Sequence, residues 1–143
     1  MATIKRNASA AWSGSGKEGR GGLTTQSGTL ADTPYSFSTR FADGKGTNPE
    51  ELIAAAHAGC FTMALAFQLS GAGHPPEKLD TKADLTMEQE GGGWRIKAIA
   101  LTLRGKVPGV SADQFQKLAE DAKANCPVSK VLNATITLAA TLD

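Results

Sequence analysis

Residues 47–71, TNPEELIAAAHAGCFTMALAFQLSG, decide how the rest of the chain is arranged. Asn48 has the side chain to cap a helix by accepting from a free backbone N–H near its start. Pro49 fits the first helical position, where its missing N–H costs nothing. Glu50 and Glu51 place negative charge against the positive end of the helix dipole. A long run without a single charge follows, and Leu52, Ile53, Phe61, Met63, Leu65, Phe67 and Leu69 point in nearly every direction around the axis. A surface helix carries one apolar stripe, so a helix that is apolar all round is expected to be buried. Its length would allow a membrane span, but the charged flanks and the scattered His57, Thr62 and Gln68 argue against one. Cys60 sits in the middle of this helix, as either an inert core thiol or a reactive one.

A chain of 143 residues is expected to form a single domain, residues 1–143, with a substantial core. The composition is ordinary for a globular protein, with 41% hydrophobic and 20% charged residues. A net charge of +1 makes no electrostatic case for nucleic acid or an acidic membrane. The N-terminus MATIKRNASA lacks the apolar core of a signal peptide, which implies a cytoplasmic location. The sequons at Asn7 and Asn133 then carry no weight. Cys60 and Cys126 are the two cysteines; in a cytosolic chain, redox or metal chemistry is more plausible for them than a structural disulfide.

Outward from the central helix, the pattern predicts strands over residues 3–12, 22–30 and 35–40. The glycine-rich segment 13–22 contains Gly14-Ser15-Gly16-Lys17-Glu18-Gly19, formally GxGxxG. That motif binds dinucleotides only between a strand and a helix; here Leu23-Thr24-Thr25 follows, which favours a loose hairpin. Ala72-Gly73-His74-Pro75-Pro76 stops the central helix. From Lys78 to Gln89 the chain alternates, Leu79, Thr81, Ala83, Leu85 and Met87 on one face, as in a half-exposed strand. Gly91-Gly92-Gly93 turns it into a strand over 94–107, where Trp94 and Ile96 have one parity and Ile99, Leu101 and Leu103 the other. A bulge near Lys97–Ala98 would restore the phase. Ser111 and Gln114 read as a capping box opening an amphipathic helix through Phe115, Leu118, Ala119 and Ala122. Asn125-Cys126-Pro127 breaks it, a short helix runs through Leu132, and a strand spans residues 135–142. The order is βββ-α-ββ-α-β, an α+β fold. A sheet covers only one side of an all-apolar helix, so a second copy is expected to cover the other, most simply as a two-fold dimer.

Cys126 precedes a short helix whose free amides can stabilise a thiolate, so the two cysteines suit an attacking and a resolving thiol. Cys60 lies ten residues beyond Glu50, roughly 15 Å along a helix, where the helix dipole no longer helps. Burial should raise its pKa, and reactivity requires a cation. Arg40 is the first candidate, and Arg20 in the glycine-rich turn is the second. His57, one turn before Cys60, permits a Cys–His hydrolase dyad or half a metal site. Against both stand the lack of a matching carboxylate or oxyanion motif and of zinc-site spacing. His74 lies in a Pro-rich turn. Cys126-Pro127-Val128-Ser129 has the form of a CxxS redox motif but lacks βαβ context.

Thr39-Arg40-Phe41, the run from Gly46 to Phe61, and Asn125-Cys126-Pro127-Val128-Ser129 together resemble the osmotically inducible protein C family, which is related to the organic hydroperoxide resistance proteins. The resemblance covers essentially the whole chain. It implies an intertwined homodimer in which two long central helices are wrapped by antiparallel sheets from both chains, with two shared sites at the interface. It also implies thiol peroxidase activity on organic hydroperoxides, and more weakly on hydrogen peroxide. Cys60 matches the peroxidatic cysteine, Cys126 the resolving one, Arg40 the arginine that holds the thiolate, and Glu50 the glutamate that orients that arginine. A Cys60–Cys126 disulfide would be restored by a dithiol such as a lipoyl protein or a thioredoxin-like protein, with no metal, haem or flavin required. The rival from another class is a dimeric binding protein whose apolar interface pocket holds a lipid-like molecule and whose thiols are incidental.

Overall fold

The computed structural model describes residues 2–143. The elements are β1 (Ala8–Ser13), β2 (Arg20–Thr25), β3 (Thr33–Tyr35), α1 (Phe37–Phe41), α2 (Pro49–Gly71), β4 (Lys78–Glu90), β5 (Gly93–Lys106), α3 (Ala112–Asn125), α4 (Pro127–Val131) and β6 (Thr135–Leu142). This is the expected α+β order, with the short helix expected after Cys126 present as α4 and with α1 as an additional short helix. The chain divides into two compact units, Met1–Leu52 and Ile53–Asp143, and the division falls within α2.

The first unit is an antiparallel sheet in the order β1-β2-β3. The glycine-rich segment is the hairpin between β1 and β2, in which the Gly19 N–H donates to Ser15 O at 2.8 Å and Ser13 pairs with Arg20. No helix follows it directly, so the GxGxxG spelling has no phosphate-binding context. The strand expected over residues 35–40 is overturned: Phe37–Phe41 is a helical turn. Ser36 caps it by accepting from the Thr39 N–H, while the Thr39 side chain accepts from the Ser36 N–H. This reciprocal bond satisfies two helix-start donors and outweighs the strand propensity of Tyr35, Phe37 and Thr39. The other two strands are also shorter than the sequence suggests, β1 beginning at Ala8 and β2 ending at Thr25. After the loop, Asn48 Oδ1 accepts from the Glu51 N–H at 2.7 Å, so the expected cap opens α2.

The second unit has a sheet in the order β4-β5-β6. β4 and β5 form a long antiparallel hairpin, whereas β6 runs parallel to β5. The expected antiparallel pairing therefore holds for the first sheet and for the β4–β5 hairpin, and fails only at β6. The path from β5 to β6 passes through α3 and α4, and such a crossover returns the chain in the same direction. The bulge falls where the parity requires it: Thr86 pairs with Ala98 and Met87 with Ile96, leaving Lys97 as the extra residue. Beyond it Ile99, Leu101 and Leu103 all reach the core. His57, Phe61, Leu65 and Leu69 recur every four residues on α2 and are fully buried. With Phe115, Ala119 and Ala122 of α3, the apolar members of these sets form one core. Each large side chain contributes about 1.5–3 kcal/mol of burial. By length and composition α2 could cross a membrane, but this face is committed to the protein core. Its opposite face is open within the chain, with Met63 64% and Phe67 74% exposed.

Candidate active site

Cys126 occupies a corner made by its neighbours. A residue before proline is pushed out of the helical region, and Cys126 accordingly takes φ −58° and ψ 126°, capping the C-terminus of α3 and the N-terminus of α4 together. Its N–H still closes α3 on Ala122 O at 2.9 Å, while Pro127 starts α4. α3 is itself seated by Phe115, which is fully buried. An added Cβ at Gly105 would lie 2.9 Å from the Phe115 ring, so only glycine allows this approach. These constraints bring Cys126 Sγ to 2.8 Å from Cys60 Sγ. Cys126 is fully buried and Cys60 partly so, and both are free thiols.

One S–H lies between the two sulfurs, so they exchange protons as a pair. Burial first, and then the bond with Cys126, push the Cys60 thiol up, against an opposing pull from the Val128 N–H. Burial acts on Cys126 in the same upward direction. It is outweighed by hydrogen bonding from Cys60, from the N–H and hydroxyl of Ser129 and from the Val128 N–H, which leaves Cys126 below its ordinary value. No capping hydrogen bond reaches the Cys126 side chain. Of the two, Cys126 is the more readily ionised within the single chain. A cation beside Cys60 would reverse that order.

His57 lies one turn before Cys60 on α2. Its Nε2 is 2.7 Å from Ser129 Oγ, and its Nδ1 is buried with no hydrogen-bond partner among the described residues. Burial holds its pKa below the usual histidine value. The histidine therefore bonds to Ser129 of α4, which is not the geometry of a Cys–His dyad. Ser129 is the residue whose part in the site the sequence does not disclose. Its signal was the CxxS spelling, which places it one helical turn beyond Cys126, but the partner on α2 is visible only in three dimensions.

Arg40 and Glu50 are brought together in the first unit. Arg40 Nε donates to Glu50 Oε1 at 2.8 Å and Nη2 to Oε2 at 3.1 Å, a two-pronged pairing that fixes the guanidinium plane. Arg40 is 40% and Glu50 13% exposed at the side chain. Arg40 Cζ also lies 5.2 Å from the centre of the Phe41 ring. Asn48 Nδ2 donates to Thr39 O at 3.0 Å, tying α1 to the start of α2 and holding the two partners in register. Arg20, the second candidate, is exposed at the start of β2 and lines a cleft with Trp12, Asp32, Tyr35 and Lys45. The four expected site residues thus form two pairs, Arg40–Glu50 in one unit and Cys60–Cys126 in the other. Among the described residues no cluster of three or more His, Cys, Asp or Glu side chains is arranged to hold a metal.

The chain is similar to known proteins in sequence and in fold. The family described as OsmC-like protein matches residues 42–141. The chain is 49% identical to the Peroxiredoxin OsmC of Escherichia coli (strain K12) over 136 residues, 95% of each chain. It is 31% identical to an organic hydroperoxide resistance protein of Xanthomonas axonopodis pv. citri over 129 residues, 87% of each. Among solved structures, the organic hydroperoxide resistance protein of Elizabethkingia anophelis superposes with a TM-score of 0.72 at 26% identity, covering 100% of both chains. By its sequence and by its fold, the chain belongs to the OsmC-like protein family.

Proposed function

We propose that this chain is a cysteine-based peroxidase that reduces organic hydroperoxides, and hydrogen peroxide more weakly. The observation that carries this is the 2.8 Å approach of the Cys60 and Cys126 sulfurs. The names of the relatives, a peroxiredoxin and an organic hydroperoxide resistance protein, support the reaction class. Cys60 thiolate attacks the O–O bond, forming a sulfenic acid and releasing the alcohol. Cys126 then displaces hydroxide from that sulfur, giving a disulfide and, with a proton from solvent, water. An external dithiol such as a lipoyl protein or a thioredoxin-like protein returns both cysteines to thiols by exchange. No metal or organic cofactor takes part.

Burial raises Cys60, so a cation must be delivered to its thiolate, and Arg40 held by Glu50 is the prepared one. In this proposal a homodimer supplies it. A second copy covers the exposed Met63 and Phe67 face of α2, and each site combines residues of both chains. Residues 1–143 act as one domain in that assembly, in the cytoplasm. The test is steady-state turnover of alkyl hydroperoxides and hydrogen peroxide with a lipoyl dithiol, thioredoxin or glutathione as reductant. Cys60→Ser should be inactive, and Cys126→Ser should complete one turnover and retain a sulfenic acid visible by mass spectrometry. A Cys126→Ser protein that cycles normally with a dithiol removes the resolving role, and a wild-type chain whose Cys60 is not oxidised by any hydroperoxide removes the function.

A further inference from the structure

Asn48 has two tasks at the junction of α1 and α2. Its Oδ1 accepts from the Glu51 N–H at 2.7 Å, and its Nδ2 donates to Thr39 O at 3.0 Å. The first bond alone does not call for asparagine, since aspartate and serine cap a helix equally well. Aspartate has no donor, and serine has one short hydroxyl for both tasks; the asparagine amide carries acceptor and donor on separate atoms. The second bond lands at a telling place. Thr39 directly precedes Arg40, and Asn48 stands two residues before Glu50. Thr39 is buried and is held from its other side by the reciprocal bonds with Ser36. Residues 42–48 form neither helix nor strand. Backbone bonds from Gly44 to Ser38 O and from Thr47 to Pro34 O fasten that loop to α1 and β3, and the bond from Asn48 fastens α1 to the start of α2. Thr47, also buried, donates its hydroxyl to Glu51 Oε2 at 2.8 Å. That contact engages the neighbouring carboxylate and leaves Glu50 to Arg40.

We propose that Asn48 is a positioning residue for the peroxidatic half of the reaction: by holding Thr39 O it fixes the backbone of Arg40 relative to Glu50, so that the guanidinium is already in place for the Cys60 thiolate. The inference rests on the reading of Arg40 as the cation that serves Cys60. Arg40 spends Nε and Nη2 on Glu50, and a guanidinium has five N–H donors, so those on Nη1 are not engaged by Glu50. A two-pronged pair aims these donors only when the backbones on both sides are fixed. The Arg40 side chain is 40% exposed, and without the Asn48 bond the arginine and α1 could shift together. Holding a long side chain in place beforehand saves the rotamer entropy it would otherwise lose on meeting the thiolate. Asn48 acts through Thr39 and Arg40 and touches no reacting atom in this scheme.

The experiment titrates the Cys60 thiolate by its absorbance in a Cys126→Ser chain, with no peroxide present, alone and with Arg40→Ala, Asn48→Ser, Asn48→Asp or Asn48→Ser and Arg40→Ala together. Serine and aspartate keep the helix cap, so α2 still starts in place. Losing one hydrogen bond should raise the Cys60 midpoint by about half to one pH unit, in the same direction as Arg40→Ala and no further. Asn48→Asp, which caps but cannot donate, should move the midpoint the same way. Peroxide attack below the midpoint, followed by stopped flow, should slow about two- to threefold, because greater nucleophilicity offsets part of the lost thiolate. In the double variant Asn48→Ser should add nothing to Arg40→Ala, since no cation is left to position; a role in stability alone would act equally in both backgrounds. If Arg40→Ala leaves the midpoint unmoved, the reading of Arg40 fails and the proposal falls with it. If Arg40→Ala raises the midpoint and Asn48→Ser does not, or if the two shifts add in the double variant, the proposal alone is overturned.

Discussion

Oxidising Cys60 and Cys126 to a disulfide ties together positions 66 residues apart in the chain. In the chain-entropy account, closing a loop of that length removes enough freedom from the unfolded state to stabilise the fold by about 4 kcal/mol. Native strain should take little of this back, because the sulfurs already lie 2.8 Å apart and an S–S bond of about 2.05 Å asks for a shift under about 1 Å. For a chain of this size each kcal/mol moves the melting temperature by about 2–4 °C, so oxidation should raise it by roughly 8–16 °C. The assay is calorimetry of the protein treated with one equivalent of an alkyl hydroperoxide against the dithiol-reduced protein, both at one concentration so that subunit association does not intrude. Cys126→Ser should show no such rise. An oxidised form that melts at or below the reduced one refutes the reasoning. So does an oxidised form that runs as a linked two-chain species on a non-reducing gel, because the cysteines would then pair between copies.

Arg40→Ala should raise the Cys60 titration midpoint and slow peroxide reduction below it, since losing a cation disfavours the thiolate and each pKa unit means about tenfold fewer thiolates; an unshifted thiolate titration would move the role away from Arg40. Inactive Cys60→Ser and Glu50→Ala chains, mixed under exchange conditions, should regain part of the activity, because one site of each mixed dimer combines an intact Cys60 with an intact Glu50. Mixed dimers that form but stay inactive would sink the shared site. Gly105→Ala should destabilise the fold by about 1–3 kcal/mol, because its Cβ meets the immobile Phe115 ring at 2.9 Å; an unchanged denaturant midpoint would show that α3 can move away.

The sequence determined much of this protein because the relevant physics is local. Asn48 and Pro49 cap a helix wherever the chain carries them, parity demands a bulge at Lys97, and Cys126 before Pro127 must break a helix. The family resemblance, carried by contiguous motifs around Arg40, Cys60 and Cys126, was equally legible. The strand expected at residues 35–40 failed because the reciprocal Ser36–Thr39 capping bonds outweigh average strand propensity, and propensity says nothing of which side chain reaches which amide. Only the tertiary structure decided that Arg40 grips Glu50 with two hydrogen bonds, that β6 lies parallel to β5, and that Cys126 meets Cys60 within bonding reach. The partnership of His57 with Ser129, 72 residues away in the chain, was beyond the sequence for the same reason. Contacts between distant residues depend on how α3 and α4 settle on α2, and that seating is set by the summed packing of Phe61, Phe115, Gly105 and their neighbours rather than by any one stretch of the chain.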